Sequence, residues 1–215
     1  MPLTLGMLAA SGAKKPLDCL YGENKTTTSN LATYNFTLAI GPADPDRVVV
    51  VCIGTVISTG TVPIPTVTVG GVTAELIDKI DNTTYSTMMF AAKVPTGTTA
   101  SVVAAFGTTS MRGCYVATWA IYGGAELQPK DKTKSTTASG YALDSYKGGC
   151  TIQYVFSAGT TSGWTNGLIE DFDYRTALGQ DQAGAHIENA ADATQRSYSV
   201  VNSNVRGTVL GAWAP

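Results

Sequence analysis

The chain is poor in charge, in histidine and in long apolar runs, and each shortage removes a class of function. Only 14% of its 215 residues are charged, and the formal net charge is −2. Nucleic-acid binding needs a basic patch or stripe, so no nucleic acid is expected as a partner. No apolar stretch approaches the ~18 residues that span a membrane, so no membrane is expected either. The one histidine, His186, stands in AGAHIEN with no cysteine or second histidine beside it. A histidine-based metal site or a Ser-His-Asp triad is hard to assemble from it, and it reads as solvated or locally bonded. Cys19, Cys52, Cys114 and Cys150 contain no CxxC pair, which argues against zinc. Cys52 and Cys114 lie in apolar patterns and read as buried, reduced thiols. P-loop, GxGxxG and GxSxG motifs are missing. SGAK at 11–14 lacks the companion motifs of S-x-x-K enzymes. No catalytic residue, metal or cofactor is assigned. The opening MPLTLGMLAASGAKKP has no basic start ahead of its short apolar part, so a secretory signal is not expected.

What is plentiful is glycine, at 23 residues, together with threonine, serine and valine. Thr, Val, Ile and Tyr suit a half-buried pleated surface, and Gly, Asn and Pro punctuate turns. TYNFTLAI (33–40) and RVVVVCIGTVIS (47–58), joined by GPADPD, read as a hairpin. Val48–Ile53 is apolar at every position, which requires cover on both faces, and the run of valines disfavours a helix. TVTV (66–69) and VTAELIDKI (72–80) read as a second hairpin, with Gly70–Gly71 supplying the positive φ angles of a two-residue turn. Further strands are expected at YSTMMFAAKV (85–94), SVVAAF (101–106), MRGCYVATWA (111–120), GGCTIQYVFSAG (148–159), LIEDFDYR (168–175) and a closing hairpin of SYSVVNS and VRGTVLGAWAP. TALGQDQAGAHIENAADAT (176–194) reads as a helical turn or loop. About ten strands with frequent turn signals predict an all-β, two-sheet antiparallel sandwich of jelly-roll type. Residues 31–215 form its single domain. Residues 1–30 read as an arm or an irregular first strand, and the polar stretch 123–147 as a crossover between two related halves.

Those halves share an echo. MRGCYVATWA and VRGTVLGAWA repeat Arg112, Gly113, Trp119 and Ala120 as Arg206, Gly207, Trp213 and Ala214. SVV at 101–103 recurs at 199–201, so one strand-turn-strand hairpin is expected twice. With period two, Trp119 shares a face with Gly113, Tyr115 and Ala117, and Trp213 shares one with Gly207, Val209 and Gly211. Small residues beside an indole make room for it. Trp119, Trp213, Arg112 and Arg206 are therefore assigned to the structural core rather than to chemistry.

Binding candidates lie outside the repeat. Trp164, Tyr141, Tyr146 and Tyr174 read as exposed aromatics able to stack on a sugar or anchor an interface. Lys130, Lys132 and Lys134 alternate in the polar crossover and suit either solvent or a negatively charged partner. Glu170, Asp171 and Asp173 form the best acidic cluster, but alternation puts Asp171 on the face opposite Glu170. A polar strand edge is preferred there to calcium binding or glycoside cleavage.

GPADPDRVVVVCIG, VTVGGVTAELI, AAKVPTGTTASVVAAF, MRGCYVATWAIYG and the terminal LGAWAP together resemble a group of β-sandwich virion proteins of tailed bacteriophages and related prophage or gene-transfer-agent particles. The resemblance covers most of residues 33–122 and the last strand. It implies a non-enzymatic particle component that assembles in the bacterial host cytoplasm and resides in the virion. Its implied partners are other virion proteins, the major capsid protein or tail proteins, and further copies of itself in a homo-oligomer. A capsid decoration or cement protein is the first reading. A tail or fibre component that binds a host-surface glycan is the second.

Overall fold

The computed structural model describes residues 14–176, 179–202 and 204–215. Residues 1–13 of the expected arm, with the SGAK motif up to Ala13, and Ala177, Leu178 and Ser203 lie outside the described residues. Every regular element among the described residues is a β-strand, and every ladder between those strands is antiparallel.

The first half holds β1 (Asp18–Thr27), β2 (Thr33–Ala39), β3 (Val48–Val56), β4 (Thr66–Val69), β5 (Val72–Thr73), β6 (Glu75–Asn82), β7 (Tyr85–Lys93), β8 (Thr99–Ala105) and β9 (Gly113–Tyr122). They form two sheets, of order β1-β9-β3-β7-β6 and β2-β8-β4-β5. Setting β6 aside as an extra edge strand, the chain has the eight strands and two Greek keys of a jelly roll. That jelly roll is complete within the first half.

The second half holds β10 (Asp131–Ser135), β11 (Tyr141–Ser145), β12 (Cys150–Ser157), β13 (Ser162–Trp164), β14 (Ile169–Arg175), β15 (Asp181–Glu188), β16 (Ala193–Tyr198), β17 (Val200–Val201) and β18 (Val205–Trp213). Its large sheet runs β10-β18-β12-β15-β14, and β11 pairs β16 while β13 pairs β17. Only Ser199 separates β16 from β17, so the two act as one interrupted strand. The second half thus repeats the topology of the first in shortened form. The echoed tryptophan strands are the last strand of each unit, β9 and β18, and the repeated SVV falls on their counterpart strands, β8 and β17.

The four layers stack. Alternate residues of β3 point to opposite sides: Val49, Val51 and Ile53 join the core under the β2-β8-β4-β5 sheet, while Val48, Val50 and Cys52 join the core shared by the two five-stranded sheets. All nine residues of β3 are buried in consequence, as the uninterrupted apolar run requires. Trp119 and Trp213 both lie in the shared core, which is the seam between the units. A third core, with Tyr141, Leu143, Tyr198 and Leu210, lies on the outer side of the second large sheet.

The antiparallel sandwich stands as expected, but with more than two sheets. Several pairings differ from the sequence reading. β2 and β3 are not a hairpin, because β2 pairs β8 and β3 pairs β7 and β9. Likewise β8 and β9 do not pair, nor do β17 and β18; in both units the chain crosses from outer to inner sheet there. Residues 18–27, within the expected arm, form β1 along β9. The 123–147 stretch carries β10 and β11, and the expected helical turn or loop after 176 contains β15. The Gly70–Gly71 turn stands, with φ of 58° and 85°, but its second strand is only β5, since β6 crosses to the other sheet and pairs β7.

One buried cation organises the loops at an end of the first unit. Arg47 is fully buried and donates to five backbone carbonyls: Nε to Val94 at 2.8 Å, Nη1 to Gly41, Pro42 and Gly97 at 2.7, 2.6 and 2.9 Å, and Nη2 to Thr96 at 2.7 Å. The guanidinium ties the β2–β3 crossover to the β7–β8 turn.

Candidate functional site

A polar side-chain cluster lies on one flank of the seam. β14 pairs β15 with a register shift between Glu170 and Phe172, which makes Asp171 a bulge residue. A bulge re-aims a side chain that strict alternation would send elsewhere. Asp171 here accepts the Trp119 indole N–H on Oδ2 at 2.7 Å and meets His186 Nδ1 with Oδ1 and Oδ2 at 2.7 and 2.9 Å. The hydrogen bond to Asp171 raises the His186 pKa, burial opposes it, and the charges of Asp171, Glu188 and Asp18 add to the rise. Phe172 stacks on Tyr21 of β1 at 5.3 Å and packs beside Trp119. Gly184 lies beneath, where an added Cβ would come within 2.6 Å of the Trp119 ring and 2.5 Å of Phe172.

An Asp–His pair joined through Nδ1 is the orienting half of a hydrolytic triad. Among the described residues, Nε2 has no hydroxyl or thiol hydrogen-bond partner. The pair fixes the Trp119 indole and joins β14 and β15 to β9. Among the described residues, no cluster of three or more His, Cys, Asp or Glu side chains has a metal-holding arrangement. Asp173 and Asp181 titrate above the usual carboxylate range, chiefly through burial.

The proposed binding residues are dispersed or engaged. Tyr141 is buried, accepts the Gln153 amide at 2.8 Å, and has its hydroxyl pushed up to about 12 by burial. This corrects its reading as an exposed aromatic. Trp164 and Tyr146 are half-buried and pack on the same outer core as Tyr141. The three aromatics do come together, but chiefly as packing beneath the outer strands. Trp164 Nε1 donates to Glu170 at 2.7 Å, and Lys130 sits 4.8 Å over the Tyr146 ring. Tyr174 is exposed.

Lys132 and Lys134 reach back across the seam. Lys132 donates to the Ile77 carbonyl at 2.5 Å, and Lys134 pairs with Asp78 at 2.6 Å. These lysines staple β10 to β6 of the first unit and do not form a free basic patch, because an edge strand beside another edge finds acceptors there. Arg112 is exposed, which corrects its assignment to the core, whereas Arg206 is half-buried with its guanidinium 4.7 Å over the Tyr85 ring. Tyr85 and Arg112 line a cavity of about 290 Å³ together with Thr28, Val56, Tyr115 and Gln180.

The outer side of the β2-β8-β4-β5 sheet is an open face. Ladder rows place Thr33 beside Ala105 and Thr66, and Asn35 beside Val103, Thr68 and Thr73. No outward position on this face is charged. Its β2 edge is covered by β1 side chains: Lys25 donates to the Thr37 carbonyl at 2.5 Å, and Glu23 accepts the Ala39 amide at 2.9 Å. Charged side chains on an edge discourage open-ended strand pairing.

No protein-family model, curated protein or solved structure matches this chain.

Proposed function

We propose that the protein is a non-enzymatic structural component of a bacteriophage-type virion, bound to the head lattice as a decoration or cement protein. The observation that carries this reading is the uncharged outer sheet face of the first unit, a small-residue Thr, Asn, Ser and Val surface whose β2 edge is already covered. Such a face suits lateral packing on another protein surface and offers no row of charges to a nucleic acid. The double unit behind it is compatible with the same reading, which the resemblance of sequence motifs within residues 33–122 and the closing strand to phage sandwich proteins first suggested. In this reading the chain assembles in the bacterial cytoplasm, contacts the major capsid protein, and acts as a symmetric oligomer.

Electron cryomicroscopy of intact particles tests it. Density for the double jelly roll distributed over the capsid surface is the expected result, and density confined to the tail tip refutes it. The tail reading has its own signal in Trp164, half-buried beside the Glu170 carboxylate. Glycan-array binding that Trp164→Ala abolishes would select that alternative.

A further inference from the structure

We propose that Cys19 and Cys150 are a disulfide-forming pair that covalently locks the two jelly-roll units together when the folded chain meets a disulfide oxidant. Cys19 lies near the start of β1 in the first unit, and Cys150 opens β12 in the second. The two strand starts are fastened to each other: Leu17 donates its amide to the Gly148 carbonyl at 2.7 Å. Both cysteines lie two residues beyond that contact. The Cys19 amide also approaches Glu188 Oε1 at 3.5 Å, and Glu188 is the ladder partner of Cys150. Both side chains enter the seam core, and the thiols are neighbours close enough to interact.

The other two cysteines are placed differently. Cys52 faces the seam from the middle of β3, and Cys114 faces the opposite side of the same sheet, in the core of the first unit. A sheet stands between them, so they cannot bridge each other.

All four thiols are free and buried. Burial pushes the Cys19 thiol up, with the neighbouring Cys150 adding to the rise. Oxidation therefore waits on brief opening of the β1 edge, which a register shift between Tyr21 and Asn24 already interrupts. The step balances with a glutathione-type disulfide. One thiolate attacks the oxidant, forming a mixed disulfide and releasing one reduced thiol. The second cysteine then displaces the other, so that two protons and two electrons pass from the pair to the oxidant. This pairing does not depend on the virion reading.

The test uses the full chain, purified under reductant and then held folded with oxidised glutathione at neutral pH. The chain should lose two of its four thiols. Peptide mapping should then join the Cys19 and Cys150 fragments with the loss of two hydrogens. The melting temperature should rise by roughly 5–15 °C, because the closed loop is long. Cys19→Ser and Cys150→Ser should each abolish the rise. Four thiols persisting under native conditions, glutathione adducts alone, or a bridge involving Cys52 or Cys114 would overturn the proposal. The map of the unsubstituted chain decides the matter even where a serine variant fails to fold.

Discussion

Replacing Arg47 with Met keeps most of the stem and removes the whole guanidinium. Five carbonyls, from Gly41, Pro42, Val94, Thr96 and Gly97, lose their donor at once. A hydrogen bond to a charged group contributes about 1.5–3 kcal/mol net. A straight sum of five would exceed what one side chain supplies, because the bonds share one desolvation cost and the loop carbonyls can turn partly to water. Each buried acceptor left unpaired costs about 1–3 kcal/mol, and with some of the five turning to water a net loss of about 3–5 kcal/mol is expected. For a chain of this size each kcal/mol moves the melting temperature by about 2–4 °C. Arg47→Met should therefore lower it by roughly 6–20 °C in a circular-dichroism or calorimetric melt. Arg47→Lys keeps the charge but not the planar fork of donors, and should fall between the two. A Met variant melting within about 2 °C of the parent would refute the claim that this side chain holds the two loops.

The seam tryptophans should respond unequally. Trp119→Phe removes the indole donor from the Asp171 carboxylate, leaving it to His186 alone, whereas Trp213 Nε1 has no hydrogen-bond partner among the described residues. Urea unfolding should show Trp119→Phe costing about 1–3 kcal/mol more than Trp213→Phe, and equal losses would contradict the assigned network. His186 gives a pH signature. Its pKa is raised in the folded chain, so its contribution is fully present below the unfolded value of about 6.5 and fades as pH rises through the folded one. Unfolding free energy measured across that window should decline for the parent, and His186→Gln should flatten the decline; an unchanged slope in the variant would assign it to other groups.

Much of the fold was legible. The continuous apolar run at 48–53 announced a strand covered on both faces, and the Gly-Gly turn announced a hairpin. The Trp echo marked a duplicated strand that proves to close each unit. Strand partners were not legible, because a short connection that crosses between sheets has the same turn chemistry as a hairpin. GPADPD satisfies both readings. The Asp171–His186–Trp119 cluster was hidden by the bulge, which breaks the alternation from which its face was inferred. Tyr141 misled because its neighbours are polar, while its burial is decided by β16 and by Gln153, both distant in sequence. Arg47 carried one signal, a lone cation directly ahead of a buried strand, and its five partners lie on loops whose meeting only the fold reveals.

The seam joins like sheet to like sheet, yet its flanks differ in chemistry. One carries Asp171 and His186, and the other carries Lys132 and Lys134 on Ile77 and Asp78. Two identical chains meeting through the same sheets about a two-fold axis would have to show the same groups at both flanks. Linking the units in one chain removes that constraint. Each flank then answers to its own stimulus, proton concentration on the histidine side and ionic strength on the lysine side, so loosening one need not loosen the other.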